Sequence, residues 1–162
     1  MAKKQHYVDA KKLEIELIRF SESFKKDVQR VMTDLKITDL KAAEKKSQGF
    51  ISEELGEMFL KVAYNLANKH NFSNYTYKEE MIGLGIEYLC RFAKKFDKTK
   101  KNANAFAYCT QICTNGFLQA MEKEKKKANF KDKLIKEAMR ETELERWTKK
   151  ERGSVYENDD NW

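Results

Sequence analysis

The chain has 162 residues and a mass of 19.2 kDa, a length that suits one domain with short extensions and excludes a large multidomain enzyme. Lys and Arg total 33 against 26 Asp and Glu, so the net charge of +7 favours an anionic partner such as nucleic acid. No run of about 18 apolar residues occurs, and no apolar stretch follows the charged start. We therefore expect a cytosolic protein with no membrane span and no secretory signal.

The composition favours an all-α fold. The chain contains no proline and only six glycines, so the strongest helix breakers are rare and helix formers dominate. No segment shows the sustained alternation of apolar and polar residues that predicts a strand. The three cysteines, Cys90, Cys109 and Cys113, are an odd number in a chain without a signal, which favours reduced apolar core residues.

The first part of the chain contains two predicted helices joined by a polar segment. Scattered apolar residues predict a first helix near 9–34, but they are too sparse to define its buried face. Residues 36–48 fit either a short second helix or a linker. A stripe of apolar residues at three- and four-residue steps predicts a helix over about 50–70. This stripe consists of Ile51, Leu55, Met58, Phe59, Val62 and Leu66.

The next predicted helix covers about 77–95. Thr76 and Glu79 fit a capping box, in which each side chain satisfies a free backbone N–H at the helix start. Gly83 and Gly85 lie inside this helix, where each costs about 1 kcal/mol relative to alanine. They fit either close packing against a neighbouring helix or the approach of a partner protein's backbone. The predicted buried residues are Met81, Ile82, Ile86, Leu89, Ala93 and Phe96.

A further helix is predicted over about 104–127, and it carries two faces. The apolar stripe consists of Phe106, Cys109, Ile112, Cys113, Phe117 and Ala120. The adjoining face carries Tyr108, Gln111, Thr114 or Asn115, and Leu118. Apolar residues among dense charges predict a final amphipathic helix over 128–152, which we expect to end at Gly153. The segment after it is acidic and aromatic.

The residue types needed for catalysis are scarce, so we expect a binding protein without enzymatic activity. Only two histidines occur, His6 near the terminus and His70 at a helix end. Cys109 and Cys113 stand one helical turn apart, but no second Cys/His pair accompanies them, so we expect no metal site and no cofactor. Aromatic and amide side chains beside lysine runs suit stacking on unpaired bases and contact with phosphates, although a solvated helix face has the same composition.

Two segments resemble the second conserved region of bacterial sigma factors. They are Glu80-Met-Ile-Gly-Leu-Gly-Ile-Glu-Tyr-Leu-Cys-Arg-Phe-Ala-Lys-Lys-Phe-Asp97 and Ala105-Phe-Ala-Tyr-Cys-Thr-Gln-Ile-Cys-Thr-Asn-Gly-Phe117. Together with Asn71-Phe-Ser-Asn-Tyr-Thr and the early Tyr7-Val8, they are most similar to the late-transcription sigma factors of T-even-type tailed bacteriophages. The resemblance covers about residues 50–127 well, the first helix weakly and the C-terminal end hardly at all.

The resemblance implies a sigma-region-2-like helical bundle over 50–127, with an N-terminal helical extension over 1–49. A charged C-terminal helix over 128–152 and a flexible tail over 153–162 complete the expected organisation. Such a protein joins the host RNA polymerase core in the cytoplasm of the infected bacterium. It directs the polymerase to late promoters whose only element is an A/T-rich block around −10, and it takes part in opening them.

The resemblance also assigns roles to individual positions. The expected contacts with the β′ clamp helices of the polymerase core are Glu80, Gly83, Leu84, Glu87, Cys90 and Arg91. Tyr108 matches the aromatic residue that stacks where the duplex opens, and Thr114 and Asn115 match polar residues that touch the −10 element. Gln111 and Ile112 stand where housekeeping sigma factors carry two tryptophans, so the melting wedge differs here. The remaining expected DNA contacts are Phe106 and the lysines Lys100, Lys101, Lys123, Lys125, Lys126 and Lys127.

In this family a separate promoter-reading domain is missing, and a late co-activator and a DNA-tracking sliding clamp replace it. Val155, Tyr156 and Trp162 stand among acidic residues, a composition that suits docking on the clamp but also suits an ordinary disordered tail. Two alternatives stay open. One is a helical adaptor that binds polymerase without reading DNA, and the other is a general single-strand-binding module.

Overall fold

The computed structural model describes residues 7–100 and 103–156, with side-chain surroundings described through residue 150. Within these ranges it contains five α-helices, one 3-10 turn and no strand, which confirms the all-α prediction. The helices are α1 (Ala10–Asp34), α2 (Leu40–Lys46), α3 (Glu53–Ala67), α4 (Lys78–Phe92) and α5 (Ala105–Tyr156), and the 3-10 turn Ala93–Lys95 follows α4.

The described residues form two units, the first ending at Met121 and the second beginning at Glu122. Helix α1 belongs to the first unit, where Leu13, Leu17 and Phe20 are fully buried among residues of the later helices. The boundary predicted between residues 49 and 50 therefore does not separate two units, because the N-terminal helix supplies part of the same core.

The core of the first unit is built from the apolar stripes of four helices. Because residues three and four apart share one side of a helix, each stripe turns a continuous apolar surface inward. The fully buried residues include Leu13, Leu17 and Phe20 of α1; Leu55, Phe59 and Val62 of α3; Met81 and Leu89 of α4; and Cys109, Cys113 and Phe117 of α5. A smaller cluster of Phe24, Val28 and Ala43 joins α1 to α2.

Two glycines bring α4 and α5 into close contact. A Cβ atom added at Gly85 would lie 2.6 Å from a ring carbon of Phe117 and 2.8 Å from the sulfur of Cys113. One added at Gly116 would lie 2.8 Å from the backbone of both Leu84 and Gly85. Packing against the neighbouring helix therefore explains Gly85, whereas Gly83 has no atom within 4 Å of an added Cβ.

The segment between α2 and α3 is held against α1 by hydrogen bonds to side chains. The Asp27 carboxylate accepts from the Gln48 N–H at 3.0 Å, and the Ser23 hydroxyl accepts from the Phe50 N–H at 2.9 Å. Gly49 has a φ of +74°, and an added Cβ would lie 3.0 Å from the Phe24 Cβ. Only glycine suits this position, because it combines left-handed backbone with close packing.

The structure corrects two predictions about helix ends. Helix α5 continues from Ala105 to Tyr156, so no break separates 104–127 from 128–152, and Gly153 does not end the helix. The segment contains no proline that would end the helix. A single glycine within it lowers helix stability by only about 1 kcal/mol relative to alanine. The predicted capping box is also wrong, because Tyr77 takes the N-cap position of α4 and makes no side-chain cap hydrogen bond.

Candidate functional site

A polar face of α5 carries several of the residues predicted to contact DNA. Gln111 and Asn115 are exposed, and the Gln111 amide nitrogen donates to the Asn115 amide oxygen at 3.1 Å. Thr114 is partly exposed, and its hydroxyl donates to the Thr110 carbonyl at 2.8 Å. These side chains are arranged by the helix itself, since they stand three or four residues apart. The structure therefore brings together the amide and hydroxyl groups that could read base edges.

Tyr108 stands at one end of this polar face and is partly held by the core. Its ring centroid lies 5.4 Å from that of Phe96, and its hydroxyl donates to the Phe92 carbonyl at 3.2 Å. Partial burial raises the pKa of Tyr108 above its ordinary value, so the phenol stays a neutral donor at physiological pH. The accessible remainder of the ring is available to stack on a base.

One of the predicted DNA contacts is buried in the core, and another is partly buried against it. Ile112 is only 8 % exposed and packs in the apolar cluster, so its prediction as a DNA contact is corrected. Its place on the inward stripe with Cys109 explains this burial. Phe106 is partly buried, and its ring lies 5.7 Å from Tyr7 in an edge-on arrangement. Phe106 and Tyr108 are thus both partly buried aromatic residues at the start of α5, and the resemblance assigns base stacking to Tyr108.

A groove of about 580 Å³ lies beside Tyr108. It is lined by Lys95, Phe96, Asp97, Lys100, Ala103, Asn104, Ala107, Tyr108 and Gln111. Hydrogen bonds from the Thr99 hydroxyl and backbone N–H hold the pKa of Asp97 below its ordinary value, so this carboxylate stays charged. The groove thus combines lysine ammonium groups, an aromatic ring and amides, and its volume falls in the ordinary range of ligand pockets of about 300–1,000 Å³.

The residues predicted to contact polymerase share one face of α4. Glu80, Gly83, Glu87 and Arg91 are exposed, and Arg91 pairs with Glu87 at 3.0 Å. A second group, Leu84 and Cys90, is half-buried against the core and contributes only part of its surface. The open space at Gly83 leaves the helix backbone approachable at the middle of this face.

The predicted phosphate contacts lie in both units. Lys100 is exposed in the first unit, and Lys101 falls outside the described residues. In the second unit Lys123 and Lys125 are exposed, Lys126 pairs with Glu122 at 2.7 Å, and Lys127 pairs with Glu124. Of the predicted clamp contacts, Val155 and Tyr156 lie in the last turn of α5 without described side chains, and Trp162 lies outside the described residues.

A second, larger groove of about 770 Å³ was missed by the sequence analysis. It carries five cationic side chains, Lys41, Lys45, Arg91, Lys94 and Lys95, beside the single acid Glu44. The Lys94 ammonium donates to the Ser47 carbonyl at 3.0 Å and lies 4.2 Å from the Phe24 ring centroid. Partial burial is the main cause that lowers the pKa of Lys94, and the positive charge of the nearby Lys95 lowers it further. Lysine pairs were visible in the sequence, but only the tertiary fold gathers them, because α2 and the 3-10 turn that follows α4 both pack on α1.

The cysteines behave as core residues. Cys109 and Cys113 are fully buried, and burial raises the pKa of each to about 12, so neither is a thiolate at neutral pH. Cys90 is half-buried, and burial raises its pKa as well. Across the part of the chain that the structure describes, no group of three His, Cys, Asp or Glu side chains is placed to hold a metal ion.

Comparisons with protein families, with characterised proteins and with solved structures find no match to this chain. None of the described helices combines the length and the apolar character needed to cross a membrane.

Proposed function

We propose that this protein is a sigma-like initiation factor without catalytic activity of its own. It binds the host RNA polymerase core through the exposed face of α4, at the β′ clamp helices. It contacts an A/T-rich −10 element through the polar face of α5, and it helps to open the duplex there. Formation of the phosphodiester bond belongs to the polymerase.

The observation that carries this proposal is the pair of separate exposed faces on α4 and α5. The two helices touch through Gly85 and Gly116, yet each keeps a solvent-facing stripe of polar residues. The stripe on α5 ends at Tyr108 beside a lysine-lined groove, an arrangement that suits unpaired bases and their phosphates. The sequence segments that resemble sigma factors supply these same two helices.

The first test measures run-off transcription by bacterial core polymerase from a template with an A/T-rich −10 element, with and without this protein. Initiation at the element that depends on the protein supports the proposal. Absence of both core binding and initiation contradicts it.

Tyr108→Ala tests the role of α5, and Tyr64→Ala is its control because Tyr64 is an exposed tyrosine on α3. Stacking of a base on an aromatic ring contributes about 1–3 kcal/mol, so open-complex formation should fall roughly 5- to 150-fold in Tyr108→Ala. Permanganate reactivity of unpaired thymines measures opening, and a pull-down measures core binding. Equal effects of the two substitutions, or equal loss of binding and opening, would contradict the assigned role.

Gly83→Arg tests the role of α4. Gly56→Arg is the matched control, because an added Cβ at either helical glycine meets no atom within 4 Å. We expect Gly83→Arg to weaken core binding at least tenfold by blocking the docking face, while Gly56→Arg binds normally. Unchanged binding by Gly83→Arg would place the polymerase elsewhere.

The C-terminal segment is assigned to the sliding clamp, with Val155, Tyr156 and Trp162 as the apolar contacts, and the late co-activator acts in the same complex. Removal of residues 153–162 should abolish clamp-stimulated transcription and leave basal initiation intact. Loss of basal initiation as well would contradict this assignment. This activity takes place in the cytoplasm of the infected bacterium.

A polymerase-binding adaptor without DNA recognition is the second candidate, and the position of Tyr108 favours it. Its hydroxyl is engaged by the Phe92 carbonyl and its ring packs on Phe96, so part of the stacking surface is used within the protein. Core binding that is sensitive to Gly83→Arg, together with no initiation at any −10 template, would establish the adaptor.

A further inference from the structure

The second unit carries an exposed stripe of seven residues along α5. The stripe consists of Lys123, Lys127, Phe130, Leu134, Ala138, Glu141 and Glu145. Successive members stand three or four residues apart, so they share one side of the helix. Phe130 is 64 % exposed and Leu134 is 49 % exposed, although side chains of this size usually lie in a core.

The order of residues along the stripe is basic, then apolar, then acidic. Leu134 stands at its centre. Lys123 and Glu145 are equally far from Leu134 along the chain, and so are Lys127 and Glu141. Phe130 and Ala138 flank Leu134 in the same way, with a large side chain on one side and a small one on the other.

We propose that two copies of the chain pair through this stripe as antiparallel helices, with the two-fold axis at Leu134. In this register Leu134 meets its own copy, and Phe130 meets the second copy's Ala138. Lys127 and Lys123 face Glu141 and Glu145 of the second copy. A two-fold interface requires a self-complementary surface, and the stripe meets that requirement.

The charges along the stripe favour a second copy of the chain as the partner, and they favour antiparallel over parallel pairing. A parallel pair would place lysine against lysine at one end and glutamate against glutamate at the other, which is unfavourable. A partner with one sign of charge would satisfy only half of the stripe. Lys127 already pairs with Glu124 within the chain, and its ammonium group has three donors, so a second carboxylate can be accommodated. The paired segment from residue 123 to 145 is about 33 Å long at 1.5 Å per residue.

Analytical ultracentrifugation of the full chain tests the proposal over a range of concentrations. We expect a concentration-dependent shift from the monomer of 19.2 kDa to a species of twice that mass. A monomer at every concentration up to hundreds of micromolar would overturn it. The measurement uses the free protein without polymerase or DNA, so its outcome is independent of the proposed function.

Charge reversals test the pairing. Glu141→Lys with Glu145→Lys makes both ends basic, and Lys123→Glu with Lys127→Glu makes both ends acidic. Each double variant should dimerise at least about tenfold more weakly. A single exposed charge pair contributes little, but in each double variant every attractive pair of the interface becomes a repulsive one. An equimolar mixture of the two variants should regain the dimer, because each lysine of the basic variant then faces a glutamate of the acidic variant. If both double variants keep the helical content of the unsubstituted protein in far-UV circular dichroism, a mixture that stays monomeric would overturn the proposal.

The control changes net charge equally on the opposite side of the helix, through Asp132→Lys with Glu143→Lys. Dimerisation should be retained in this control, and a loss equal to that of the stripe variants would overturn the assigned face. A cysteine substitution then tests direction. Leu134→Cys should cross-link two copies on oxidation and Phe130→Cys should not, because only Leu134 meets itself in the antiparallel register. Efficient cross-linking through Phe130→Cys would indicate a parallel pair and contradict the proposal.

Discussion

Gly116→Ala tests whether α4 and α5 meet through their backbones. The added Cβ would lie 2.8 Å from the Gly85 Cα and from the Leu84 carbonyl oxygen. Ordinary contact between carbons begins at about 3.5 Å, so the two helices would have to separate by roughly 0.7 Å. The obstacle is backbone rather than a flexible side chain, so no rotamer change relieves it.

The expected magnitude follows from two opposing effects. Overpacking of a well-filled core costs about 1–3 kcal/mol, and contact with backbone belongs at the upper end of that range. Replacing a helical glycine by alanine contributes about 0.5–1 kcal/mol in the other direction. Gly116→Ala should therefore lower the free energy of unfolding of the first unit by about 2 kcal/mol.

Gly83→Ala provides the matched control on the neighbouring helix. An added Cβ there meets no atom within 4 Å, so the substitution should stabilise the unit by about 0.5–1 kcal/mol. Urea denaturation of both variants and of the unsubstituted protein, monitored by circular dichroism, measures the two changes in the free energy of unfolding. If Gly116→Ala proved as stable as Gly83→Ala, the close crossing of α4 and α5 would be refuted.

Ser52→Ala should lower the free energy of unfolding, measured by urea denaturation, by about 1–2 kcal/mol. The reason is that the Ser52 hydroxyl caps α3 and donates to the buried Glu16 at 2.6 Å. A decrease below about 0.5 kcal/mol would contradict this role. Alkylation of the native protein followed by mass spectrometry should label Cys90 first and leave Cys109 and Cys113 protected until unfolding, and rapid labelling of all three would show the core to be open. Burial raises the pKa of Cys109 and Cys113 from an ordinary 9.0 to about 12. Between these values the thiols lose their protons in the unfolded chain but keep them in the folded protein. The free energy of unfolding should thus fall as pH rises from 9 toward 12, and replacing both cysteines by alanine should reduce that slope.

Helices α3 and α4 could be predicted from the sequence because their apolar stripes repeat at helical spacing. The apolar residues of α1 predicted a helix without defining its buried face, and residues 36–48 left α2 open. The predicted ranges 9–34 and 77–95 match α1 and α4 with its 3-10 turn within one or two residues. The continuity of α5 could not be predicted in this way. Its lysine-rich middle has no apolar period, and helix formers without a stripe are compatible with either a helix or a connection.

The candidate site was predicted in part. Spacing alone places Gln111 and Asn115 on one face of a helix, and the structure agrees. Spacing also places Ile112 and Phe106 on the apolar stripe, but the degree of burial depends on what packs opposite. The hydrogen bond from Tyr108 to the Phe92 carbonyl joins residues on two different helices, so no local pattern predicts it.

The sequence by itself determined the helical class, the stripes that form the core and the net positive charge, because these depend on residue type and on spacing within one helix. Only the tertiary structure decided which glycine serves packing and which stays open. Spacing places Gly85 on the stripe of Met81 and Leu89 and places Gly83 off it. Only the structure shows that Phe117 and Cys113 of α5 lie so close to Gly85 that a Cβ would not fit. The grouping of lysines around the larger groove was likewise decided by tertiary packing, because α2 and the 3-10 turn after α4 both contact α1. Contacts between helices distant in the chain depend on complementary shapes that neither segment specifies alone.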